Sequence, residues 1–166
     1  MTFRDLIALL ENSSIAEAIR EGDWLFPSIE SVHVIAICAT IGSIFILDLR
    51  LLNMASRDRP VINLARSVLP LTWIAFVIAA TTGFLLFISN ASRYLANGYF
   101  DTKLVLIALA GANMLVFHFL GGRDLTKWVA DARPPSAGRI AGALSIALWV
   151  AVVICGRMIG FTMDPT

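Results

Sequence analysis

Residues 31–47 read SVHVIAICATIGSIFIL, an uncharged run held between Glu30 and Asp48. Crossing the hydrocarbon of a bilayer takes roughly 20 mostly apolar residues, with about 17 as the lower bound. Three further runs meet that test: 67–92 between Arg66 and Arg93, 104–122 between Lys103 and Arg123, and 140–156 between Arg139 and Arg157. Lipid offers a backbone N–H no partner outside its own segment, so uninterrupted runs of this kind are helices. Strands of a membrane barrel would alternate over roughly ten residues, and these runs do not. The sequence therefore predicts an all-α protein, an integral membrane four-helix bundle. Its spans are expected at about 28–52, 67–92, 103–122 and 137–161, within a domain covering 27–163 and preceded by an arm over 1–26.

Composition agrees. Of the 166 residues 58% are hydrophobic and only 15% charged, where a soluble domain carries about 25% charged residues. Mean hydropathy is +0.79. Much of the surface is thus predicted to meet lipid. A net charge of +1 with no long basic run gives no pull toward nucleic acid. The two cysteines, Cys38 and Cys155, stand in apolar runs at a spacing that fits no zinc or redox motif, and read as small buried apolar residues. The opening MTFRDLIALLENSS has no basic region before its apolar residues, so the first span is expected to direct its own insertion.

Basic residues set the expected orientation. The first and third connections hold Arg57, Arg59, Arg66, Arg123, Lys127, Arg133 and Arg139, with Arg50 just inside the first. The other side holds Arg4, Arg20, Arg93, Lys103 and Arg157. The positive-inside rule then puts both termini outside, the periplasmic side if the membrane is a bacterial inner one, and the two basic loops in the cytoplasm. Trp24, Tyr94, Tyr99 and Phe100 fall where an outer aromatic belt belongs.

The arm reads as two short amphipathic interfacial helices. Phe3, Leu6 and Leu10 share a face, and Ser14 followed by Glu17 suggests a capping box opening a second helix with Ile15, Ala18 and Ile19 on its apolar side. Such an arm suits the membrane surface or the mouth of the bundle. A short helix is expected at Leu125–Ala132, ended by Pro134 and Pro135, with Ser136 capping the last span. Small residues mark close approach: Gly138, Gly142, Ala143, Ala147 and Ala151 in the fourth span, Ala108, Gly111 and Ala112 in the third, Ala39, Gly42 and Ser43 in the first. These stripes suit packing within one protomer or between protomers alike.

Ionisable residues inside spans are costly and point to function. They sort into an outer layer of Glu30, His33, Lys103 and Arg157, and an inner layer of Asp48, Arg50 and His118, with Asn113 between. Glu30 and His33 share a helix face, but a di-metal site needs several more carboxylates from facing helices. A salt bridge from Glu30 to Lys103 or Arg157 is the expected alternative. Both histidines of the chain lie in spans, and the ligand-seeking partners of a membrane histidine are haem iron, copper or a proton path. One haem between them is disfavoured: the spans run parallel and the two differ in depth by about 16 Å at 1.5 Å per residue. Two separate sites fit better, each completed by water, a methionine such as Met54, Met114 or Met158, or another subunit.

The stretches WLFPSIESVHVIAICATIGSIFILDLRLL (24–52), LPLTW (69–73), TTGFLLF (81–87) and YLANGYFDTKLVLIALAGANMLVFH (94–118) resemble an uncharacterised bacterial family of four-span membrane proteins. More distantly, the first-span histidine followed by a glycine and a terminal Leu-Arg is similar to HemJ-type protoporphyrinogen oxidases and CopD-type membrane proteins. So is a third span opening on Lys103 and closing on His118. The HemJ resemblance implies haem b, with His33 as an axial ligand and Lys103 as a functional residue. The longer N-terminus and the Asp48-Leu-Arg50 ending depart from the HemJ pattern.

The leading expectation is a b-type haem-binding protein working in electron transfer or haem-dependent oxidation, with quinone or a periplasmic redox partner. His33 and His118 are the candidate ligands. Lys103 and Arg157 would pair with propionates, and Asp48 and Arg50 would orient His118. A second expectation is a proton or copper path through Glu30, His33, Asn113, His118 and Asp48. A third is a structural or accessory subunit, within a homo-oligomer or a larger complex.

Overall fold

A computed structural model of the chain describes residues 2–117, 119 and 134–163. All regular structure among them is helical: α1 (Phe3–Glu11), α2 (Ser14–Glu21), α3 (Leu25–Leu51), α4 (Val61–Ser89), α5 (Ala91–Leu95), α6 (Gly98–Val116) and α7 (Ser136–Thr162). Four of these, α3, α4, α6 and α7, are long and apolar enough to cross a membrane. α3 and α4 begin earlier than the hydropathy predicts. Pro27 stands in the first turn of α3, where its missing N–H costs no helix bond. Pro60 caps α4, so that the exposed Arg66 lies in its second turn. The charges that bound the apolar runs thus belong to helix continuing past the hydrocarbon. The short helix predicted at Leu125–Ala132, and His118, lie outside the described residues.

α3 packs along α4 on one side and against α7 on another, and α7 packs along α6; α4 and α6 hardly touch. The buried faces are made of small or weakly polar side chains: Ala36, Thr40 and Ser43 on α3, Ala75, Ala79 and Thr82 on α4, Gly138, Gly142 and Ser145 on α7. Large apolar residues point outward, with Ile35, Ile140 and Phe161 each about two-thirds exposed. That inversion of a soluble core is what lipid as solvent requires, since helices in it associate by close packing rather than by hiding from water. Hydrogen bonds join the seams. Ser43 Oγ lies 2.8 Å from Thr72 Oγ1 between α3 and α4. Asn113 Nδ2 donates to the Ala141 carbonyl between α6 and α7, at 3.0 Å.

The small-residue stripes resolve differently. A Cβ on Gly142 would stand 3.1 Å from both the Asp48 carbonyl oxygen and Leu51 Cβ, so this glycine sets the α3–α7 approach. Cβ atoms on Gly42 and Gly111 would meet open space. α3 ends in a Schellman motif. Asn53 adopts φ 61°, the Met54 N–H donates to the Leu49 carbonyl, and the Asn53 N–H donates to the Arg50 carbonyl.

The arm docks over the end of α4 rather than lying free. Thr2 and Asp5 form a capping box on α1, and the two hydrogen bonds from Thr2 hold the Asp5 carboxyl below its ordinary range. α2 is capped by Ser13, whose hydroxyl accepts from the Ala16 N–H, and not by Ser14, which is already helical. The buried face of α2 is Ala16 and Ile19, while Ile15 is 58% exposed. Likewise α7 starts after Pro135 without a side-chain cap, and Ser136 is its first residue. At the corner between α1 and α2, Glu11 accepts from the Ser92 N–H (2.7 Å) and the Ser92 hydroxyl (2.5 Å). Arg20 donates to the carbonyls of Ser89 (3.0 Å) and Glu11 (3.3 Å). Each such bond contributes about 1 kcal/mol. Glu11→Ala should therefore release the arm, read as faster tryptic cleavage after Arg20 with the thermal midpoint of the bundle unchanged. A cleavage rate equal to the parent's would show that the clamp does not hold the arm.

The aromatic residues near this end are a packed cluster as much as a belt. Phe87 stacks on Phe100 with centroids 5.4 Å apart, and Tyr94 lies 5.4 Å from Phe100. Burial pushes the Tyr94 phenol up, helped by the Glu30 charge. Trp24, at 82% exposed, and Tyr99, at 40%, lie outside that cluster and are open to an interface.

Candidate functional site

The outer layer is assembled by all four spans. His33, in the third turn of α3, faces α4, where its Nδ1 lies 2.9 Å from Thr82 Oγ1. The Thr82 hydroxyl is 2.7 Å from the Ile78 carbonyl and donates to it, one turn back along its own helix. Its single proton thus committed, the hydroxyl accepts from His33, so Nδ1 carries the ring proton and Nε2 carries the lone pair. Gly83 makes the placement possible: a Cβ there would lie 2.8 Å from His33 Cε1. Neither contact was read from the sequence. The cue was available in Thr82-Gly83, a hydroxyl beside a missing side chain in mid-span.

Lys103, in the second turn of α6, lies against α7, its Nζ 3.6 Å from where a Gly156 Cβ would stand. Its charge acts on His33. Among the described residues no carboxylate pairs with it. The expected salt bridge from Glu30 to Lys103 or Arg157 is absent among them; Glu30 is exposed and its charge acts on Tyr94. Arg157 is also placed differently from expectation, with its guanidinium 4.4 Å above the Phe161 ring, a cation–π pairing at the bundle's edge. Cys155 is buried, but Cys38 is exposed on the outer surface of α3, contrary to the reading of both as buried.

The inner layer is built on the other half of α3. Asp48 is 5% exposed, hydrogen-bonds Ser145 of α7, and leaves Oδ2 buried without a partner among the described residues. Arg50 is fully buried; its Nε donates to the Arg59 carbonyl at 2.9 Å, and Nη1 and Nη2 have no partner among the described residues. Asp48 and Arg50 are thus committed to α7 and to the α3–α4 turn. Their expected role in orienting His118 falls outside the described residues. Asn113, expected along a polar path, spends its amide on the α6–α7 seam. Between α3, α4, α6 and α7 lies a cavity of about 370 Å³, mostly apolar, with Asp48 and Ser145 in its wall and no described histidine. Among the described residues no group of three or more His, Cys, Asp or Glu could hold a metal ion.

A family model described as a family of unknown function, DUF6644, matches residues 24–162, from the end of the arm to the end of α7. No curated protein and no solved structure matches the chain.

Proposed function

Because the chain belongs to DUF6644, a family of unknown function whose model spans residues 24–162, its activity has to be read from its own residues, and we propose a b-type haem-binding membrane protein for electron transfer or haem-dependent oxidation. The observation that carries this reading is the oriented imidazole of His33. Its Nδ1–H is held by Thr82, which leaves Nε2 as a neutral donor in a layer that also contains Lys103. An axial histidine needs this arrangement, with the far ring nitrogen hydrogen-bonded to fix tautomer and direction.

His33 would supply one ligand to a haem, and the other would come from water, a methionine or another subunit. Lys103, with no carboxylate partner among the described residues, suits a propionate, and Arg157, whose guanidinium stands over the Phe161 ring, would be the second cation for that role. Haem, when bound, supplies a one-electron couple. The chain's own contribution is to orient His33 through Thr82 and Gly83 and to place one positive charge nearby, which favours the reduced, more negative state. The similarity of His33 and Lys103 to the HemJ-type and CopD-type pattern supports the same reading. The basic first and third connections favour an inner-membrane placement with both termini periplasmic.

The test is an optical spectrum of the purified chain, as isolated and after dithionite. Resolved α and β bands on reduction are expected, and a colourless protein from haem-supplied cells would overturn the proposal. Lys103→Gln is expected to keep the Soret band while lowering the midpoint potential, because it removes a cation near the iron. An unchanged potential would place Lys103 away from the haem.

A further inference from the structure

The cavity between the spans is a second site, separate from His33. Its wall includes Trp73 and Phe76 of α4, Met114 of α6 and Trp149 of α7. Trp73 and Met114 line it and are 50% and 40% exposed, and α4 and α6, which carry them, hardly touch, so the cavity opens in the gap between these two spans. The inner end is polar. Thr40 donates to the Ala36 carbonyl and Ser43 and Thr72 satisfy each other. Asp48 Oδ2 remains without a partner among the lining side chains.

We propose that this cavity binds the ring of a membrane-borne quinol, with a ring hydroxyl donating to Asp48 and the tail leaving between α4 and α6. Three observations select that chemistry over a hydrocarbon chain. The flat faces of Trp73, Phe76 and Trp149 suit a planar ring. The volume, about 370 Å³, falls at the small end of ligand pockets. An acyl chain offers the Asp48 carboxyl no partner, whereas a ring hydroxyl can pair with it once the side chain turns its buried Oδ2 toward the cavity. As an electron partner for haem the quinol rests on the function proposed above. Its binding does not, and the test reads binding alone.

The test uses full-length protein in quinone-free nanodiscs, titrated with decylubiquinol while the fluorescence of Trp73 and Trp149 is followed. Saturable quenching is expected. Asp48→Leu should weaken it about tenfold, the loss of one hydrogen bond to a buried carboxyl. Gly111→Leu should abolish it, because this glycine lines the cavity and has open space beside it. His33→Ala should leave it unchanged. Quenching that does not saturate, or that survives Gly111→Leu, overturns the site. Equal affinity for the di-O-methyl ether overturns the hydroxyl contact with Asp48. A colourless protein that still binds quinol refutes only the haem reading, and a haem-loaded protein that does not bind refutes only this one.

Discussion

The His33→Ala variant should purify without a Soret band at an expression level equal to the parent's. Alanine removes the donor nitrogen, and the fold has little reason to object. The half-buried ring makes one side-chain hydrogen bond, to Thr82, and alanine at 33 lies on a helix built from small residues. Two companion variants separate ligation from packing. Thr82→Val keeps the ring but removes its orienting acceptor, and should weaken haem retention by roughly 10- to 100-fold, the usual consequence of losing such a support. Gly83→Ala puts a methyl 2.8 Å from His33 Cε1, which is closer than carbon atoms approach, so the ring must swing and the Thr82 bond must break. It should imitate His33→Ala in the spectrum. Should His33→Ala retain the full band while wild type is red, the iron is held elsewhere, and His118→Ala becomes the decisive variant.

Gly142→Leu should be the most damaging single change to the bundle. The first carbon it adds already stands 3.1 Å from the Asp48 carbonyl oxygen and from Leu51 Cβ. Backbone cannot swing aside as a side-chain end does, so α3 and α7 must separate along their seam. Overpacking of a tight contact costs about 1–3 kcal/mol, and the branched side chain belongs at the upper end. For a chain of this length that corresponds to a fall in melting temperature of roughly 10 °C. Gly42→Ala is the control. Its Cβ meets open space, and alanine is favoured over glycine in a helix by about 1 kcal/mol. A stable Gly142→Leu protein would mean that the α3–α7 seam is looser than its geometry implies.

The four spans were legible because hydropathy over a whole segment is a summed signal that no single residue can spoil. Their interior faces were not. A helix that is apolar all round carries no stripe to say which side meets lipid and which meets protein, so Cys38 and Cys155 looked alike and only one is buried. Adjacent serines at 13 and 14 offer the same hydroxyl, and only the extended backbone of Ser13 makes it the cap. The outer layer was half legible. His33 and Lys103 announce themselves as polar groups in spans, but the partner that orients His33 lies 49 residues away. The ring of Phe161 under Arg157, one helical turn further on, was not read either. The cavity left no trace in the sequence, because it is made by a contact that two helices do not form.

The clamp between the arm and Ser92 joins residues 81 apart in the chain. Glu11 leaves the ribosome 81 residues ahead of Ser92, so the donors it accepts from exist only after α3 and α4 have been threaded and Ser92 has followed them. During synthesis the arm must therefore wait, undocked, while the first hairpin inserts. Its closure over Ser89 and Ser92 marks the moment that hairpin is complete, so a protease presented to nascent chains would find Arg20 open early and shielded late.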